Sequence, residues 1–172
     1  MQANRWLVRG TVAGWLMMSA SAAYAQADAK AEADLAKALQ AKHVALAVGL
    51  TAAAKAGKPI STMYEYEDAK LKLSVFTEKA GVFSEVFLDP ATAKVLSTEK
   101  LTDDDDIKVT KKYSAAILNA KLTLTSALDK ALAANPGYTA VSVSPAIKNG
   151  YVVAQIKLIK GKTFKTVTEP LA

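Results

Sequence analysis

The stretch Leu71–Leu96, LKLSVFTEKAGVFSEVFLDPATAKVL, decides the fold class. Leu71, Leu73 and Val75 alternate with Lys72 and Ser74, a period of two that reads as a strand with one face buried. Glu78-Lys79-Ala80-Gly81 then turns the chain, and Val82 to Leu88 forms a second strand with Phe83 and Phe87 prominent. Asp89-Pro90-Ala91-Thr92-Ala93 turns it again into Lys94–Ser97. Short turns between alternating runs predict an antiparallel meander.

Upstream, Thr62–Glu67 reads as one more strand. Before it, residues 27–57 are rich in Ala, Leu and Lys, which favour helix. Leu35, Leu39, Leu46 and Leu50 fall near one face, with a break expected at Gln40–Lys42. Asp28, Glu32 and Asp34 near the start and Lys55 near the end suit the helix dipole. Gly57 and Pro59 end the helix. Downstream, residues 99–112 (EKLTDDDDIKVTKK) read as a polar connection, and Tyr113–Ala120 carries no clear period. A second helix is expected over Ser126–Ala134 with Thr125 as its N-cap, ended by Asn135-Pro136-Gly137. Strands follow over Tyr138–Val143, Tyr151–Ile159 and Thr163–Thr168, the first two joined by a Lys148-Asn149-Gly150 hairpin turn.

The order helix, strand, strand, strand thus occurs twice. Ala56-Gly57-Lys58-Pro59 matches Ala134-Asn135-Pro136-Gly137, and Thr77–Gly81 matches Lys157–Gly161. The expected fold is α+β: two repeats of one helix packed on a three- to four-stranded antiparallel sheet. The expected organisation is 1–25 a cleaved signal peptide, 26–43 an N-terminal helical segment and 44–100 the first repeat. An acidic linker and connection over 101–121 and a second repeat over 122–172 complete it.

The amino-terminal segment has the three parts of a secretory signal. Arg5 and Arg9 open it, an apolar stretch from Gly10 to Ala20 follows, and Ala23-Tyr24-Ala25 supplies small residues at a cut after Ala25. The apolar run is about half the roughly 20 residues of a spanning helix, so export to the periplasm or beyond is expected, without stable membrane insertion. The signal holds two of the 22 basic residues and none of the 16 acidic ones, leaving a net charge of +4 on residues 26–172. The remaining basic residues are scattered lysines. Arginine, the residue best suited to phosphate and guanine, occurs only in the signal, so no nucleic-acid partner is expected. The chain has no cysteine, which excludes thiol catalysis and thiolate metal sites.

No constellation of residues spells out catalysis, and no cofactor is expected. His43 is the single histidine; it reads as a helix-face residue, and no nucleophile motif accompanies it. Glu65, Glu67 and Asp68 could be paired carboxylates for glycoside hydrolysis, but alternation sets Tyr64 and Tyr66 inward and the glutamates toward water. Asp103, Asp104, Asp105 and Asp106 are the weak candidates for a metal. A calcium loop needs spaced ligands and a bend glycine, whereas these four are consecutive, so a solvated linker is the plainer reading. Phe76, Phe83, Phe87, Tyr138, Tyr151 and Phe164 are spaced as core.

The 71–96 stretch, with its strand, Gly turn, strand and Asp-x-x-Thr turn, resembles the PepSY domain. The second unit is similar to the same family through Leu122–Leu132 (LTLTSALDKAL) and Tyr151–Val167. Thr92-Ala93 stands where the family usually has Thr-Gly, and the second unit lacks the last turn and strand. The resemblance implies a non-enzymatic exported module that binds a protein or peptide partner, with peptidase inhibition or regulation as one role. The alternative is a periplasmic small-ligand or metal-ion binding protein.

Overall fold

The computed structural model describes residues 22–118 and 120–172. Two helices come first, α1 (Ala22–Ala38) and α2 (Leu46–Ala53). Four strands follow: β1 (Lys58–Glu67), β2 (Lys70–Lys79), β3 (Val82–Leu88) and β4 (Val95–Lys100). Then come α3 (Asp104–Leu118), α4 (Leu124–Ala133), β5 (Thr139–Lys148), β6 (Tyr151–Lys160) and β7 (Thr163–Pro170). Of the signal-peptide reading, residues 1–21 lie outside the described residues. Its last residues, Ala22–Ala25, open α1.

The expectation of a three- to four-stranded sheet is overturned, and whether the two units share one sheet, which the sequence left open, is answered. All seven strands form one antiparallel sheet in the order β4-β3-β2-β1-β5-β6-β7. The two meanders share it through their first strands, with Thr62 opposite Val143 and Met63 opposite Ser142. That seam is short. The β1–β2 ladder, by contrast, runs from Lys58 opposite Glu78 to Glu67 opposite Lys70. The physical reason for one sheet lies at the seam. Thr62 and Val143 are both 0% exposed, and buried main-chain groups there need partners. Two separate sheets would leave two unpaired edges under the helices; joining them satisfies both.

Three two-residue turns set the hairpins. Asp68-Ala69, Ala80-Gly81 and Asn149-Gly150 have positive φ at both positions, the twist that suits a tight hairpin. Asn149-Gly150 and Ala80-Gly81 fall within turns expected from sequence, whereas Asp68-Ala69 carries no glycine to announce it.

Strand alternation gives the sheet two unlike faces. Tyr64, Leu73, Val75, Val86, Val143 and Ile156 share one face and are buried. Leu46, Leu50 and Ala53 of α2 and Leu124, Leu128 and Ala131 of α4 close over it, forming the apolar core. Tyr64 is held at its rim: its hydroxyl donates to the Val44 carbonyl at 2.5 Å. Gly57 lies where the chain enters β1, and a Cβ there would stand 2.8 Å from the Glu78 carbonyl oxygen.

The other face mixes apolar side chains with buried polar ones. Ser61, Ser74, Glu85 and Lys157 are buried on it beside Phe76. Glu32 of α1 pairs with Lys157 at 2.5 Å, and Ser114 of α3 donates to Glu78 at 2.6 Å. These contacts bring α1 and α3 to the face opposite α2 and α4. The Ser61 and Ser74 hydroxyls are buried there with no hydrogen-bond partner among the described residues.

Residues 104–118 correct a second expectation, since a 15-residue helix starts within the polar connection and runs on to Leu118. Asp103 Oδ1 accepts from the Asp105 and Asp106 amides at 3.0 and 3.2 Å. The next three aspartates fill the first turn, where the helix dipole favours negative charge. The buried face of α3 is made of Thr110, Ser114 and Ala116, residues too small and polar to show an apolar period. The cap of α4 also moves: Thr123, not Thr125, accepts from the Ser126 amide at 3.0 Å.

Candidate functional site

The residues weighed from sequence do not converge. His43 is not on a helix face; it lies in the loop between α1 and α2, half-buried, with Nδ1 2.9 Å from the Ala41 carbonyl. Its ring meets Tyr64 edge-on at 5.5 Å. Glu67 is paired with Lys72, and Glu65 is half-buried with a partner of its own, so neither simply faces water. Tyr66, expected inside, is 38% exposed. Asp103 caps α3, and Asp104, Asp105 and Asp106 form its first turn. Among the described residues no group of three or more His, Cys, Asp or Glu side chains is placed to hold a metal ion. Phe76 is core, whereas Tyr151 is 69% exposed at the start of β6.

Two surface features remain, and each is built by identifiable local structure. The first is the β4 edge. Asp89 Oδ1 accepts from the Ala91 amide at 3.0 Å, the Thr92 amide at 2.8 Å and the Thr92 hydroxyl at 2.7 Å. The Thr92 hydroxyl and amides hold the Asp89 carboxyl below the usual carboxylate range, because hydrogen bonds to the ionised form favour it. This Asp-x-x-Thr turn, with Ala93 at φ 58°, aims β4 along β3. β4 ends the sheet, and every one of its residues is exposed. Leu96 is 63% exposed. An edge strand with free main-chain groups is a template for another strand.

The second feature is a groove of about 360 Å³ between α2, the start of β1 and the α3–α4 connection. Leu50, Pro59, Ile117, Leu122, Leu124 and Leu171 give it apolar walls, and Lys58 and Lys121 also line it. The Lys121 and Leu122 amides donate to the Leu171 carbonyl at 2.7 and 3.1 Å, which fixes the connection against the chain's end. Sequence reasoning missed this groove, since its walls come from four separated segments. The Leu96 edge was visible only as the last strand of a meander.

No family model matches the chain, and no curated protein matches it. Among solved structures it is similar to a candidate lipoprotein from Clostridium difficile 630, at 21% identity over 64% of this chain and 82% of that one. The TM-score is 0.33, too low to establish a common fold. Among the described residues no helix is long and apolar enough to cross a membrane.

Proposed function

We propose that the chain is an exported, non-enzymatic binding module of PepSY type that docks a protein or peptide partner along its β4 edge. The observation that carries this reading is β4 itself: the last strand of the sheet, exposed along its whole length, with Leu96 uncovered. An extended segment added there gains main-chain hydrogen bonds, and alternate side chains give specificity. The tandem units of the PepSY resemblance, 44–100 and 122–172, make a peptidase the first partner class to test. Export rests on the signal-like pattern over 1–25.

The test is capture from a periplasmic extract by the purified protein and by a Thr98→Pro variant, with activity of a thermolysin-type metallopeptidase measured alongside. Thr98 is exposed, and proline there removes an amide from β4. Stoichiometric capture that the variant loses, at unchanged folding, supports the reading. Capture unaffected by the variant refutes docking at β4.

A further inference from the structure

We propose that the groove between α2 and the α3–α4 connection binds a single-chain carboxylate amphiphile of the fatty-acid type. This inference is independent of partner docking at β4. The groove's volume, about 360 Å³, lies within the range of small-molecule sites, which are mostly apolar with a few placed polar groups. Its walls supply the apolar part. The ionisable residues lining it are both lysines, Lys58 and Lys121, with no acidic residue among them. Neither ammonium has a carboxylate or hydrogen-bond partner among the described residues. The cap and first residues of α4, Thr123 to Thr125, line the same space. A helix's amino end prefers an anion, so its sign agrees with that of the lysines.

The choice of a fatty acid over a peptide follows from the main chain. A peptide laid in an apolar groove buries an amide and a carbonyl at each residue, and each needs a partner. Here the Lys121 and Leu122 amides are already spent on the Leu171 carbonyl. An alkyl chain asks only for apolar surface, and its single carboxylate is met by the two lysines. Leu122, at 44% exposure, is an apolar side chain that bound alkyl would shield from water.

The experiment is titration calorimetry of the purified protein with dodecanoate, kept below its micelle threshold. Dodecyltrimethylammonium and an apolar hexapeptide with a free carboxyl terminus serve as comparison ligands. The variants are the double Lys58→Glu, Lys121→Glu and the single Leu122→Asp. All three positions are exposed, and urea midpoints establish that each variant folds. The expected result is one dodecanoate per chain, no binding of the cationic amphiphile, and affinity reduced by about tenfold or more in the double variant. Leu122→Asp weakens binding as well. Absence of dodecanoate binding overturns the proposal. So does equal binding of both amphiphiles, tighter binding of the peptide, or dodecanoate affinity unchanged by both variants.

Discussion

Replacing Tyr64 by phenylalanine removes one oxygen and tests how the loop between α1 and α2 is tied to the sheet. The Tyr64 hydroxyl donates to the Val44 carbonyl at 2.5 Å, and the side chain is 2% exposed. Phenylalanine fills nearly the same volume, so the cost is that of a buried acceptor left without its donor, about 1.5 kcal/mol at neutral pH. For a chain of this size that lowers Tm by about 4 °C. The pH dependence separates this account from a generic packing loss. Burial pushes the Tyr64 phenol from 10.0 up to about 12. A group whose folded value is raised contributes stability that is complete below its unfolded value and is lost as pH rises toward the folded one. The window is therefore pH 10 to 12. At pH 11 the wild-type protein has lost about 1.4 kcal/mol through this group, while Tyr64→Phe loses nothing through it. Lysine titrations are common to both proteins and cancel in the difference. Urea unfolding at pH 8 and pH 11 should thus show a wild-type advantage of about 1.5 kcal/mol falling to near zero. An advantage that stays constant across that range refutes the reasoning.

Three further outcomes follow from particular contacts. Asp103→Ala removes the carboxylate that accepts from the Asp105 and Asp106 amides and should cost about 1 kcal/mol in urea unfolding. Gly57→Ala forces a methyl to within 2.8 Å of the Glu78 carbonyl oxygen. That neighbour is main chain and cannot swing aside, so thermal unfolding should report a loss of about 1–3 kcal/mol. Glu32→Ala breaks the pair with Lys157, whose ammonium also stands 4.6 Å from the Phe164 ring centre. Glu32 is 43% exposed at its side chain, so the loss is held to about 1 kcal/mol. It should appear as roughly fivefold faster hydrogen exchange in α1, with exchange in β6 unchanged.

The local elements were legible where one residue type carries one conformational demand. Alternation over Leu71–Val75 and the glycines at 81 and 150 announced β2, β3, β5 and β6. The break in the first helical stretch also lies close to where Leu and Ala periodicity weakens. Reading failed where a segment earns its structure from distant partners. α3 hides because its buried face is Thr110, Ser114 and Ala116, and its aspartates look like a linker until Asp103 is seen to cap. The single sheet hides because the β1–β5 seam is set by two register pairs between residues 81 and 79 apart, Thr62 with Val143 and Met63 with Ser142. No local pattern encodes such a pairing. The groove was illegible for a similar reason: Leu50, Lys58, Ile117 and Leu171 meet only after the sheet has formed.

Docking of a partner at β4 is tested most directly by a photo-crosslinking side chain placed at position 96 of the protein, with position 151 as the comparison. Both sites are exposed, Leu96 at 63% and Tyr151 at 69%, but only the first lies on β4. The account predicts one discrete crosslinked protein from position 96, absent from position 151 and abolished by Thr98→Pro. Crosslinking of the same protein from position 151 alone, or from position 96 with Thr98→Pro present, would contradict it.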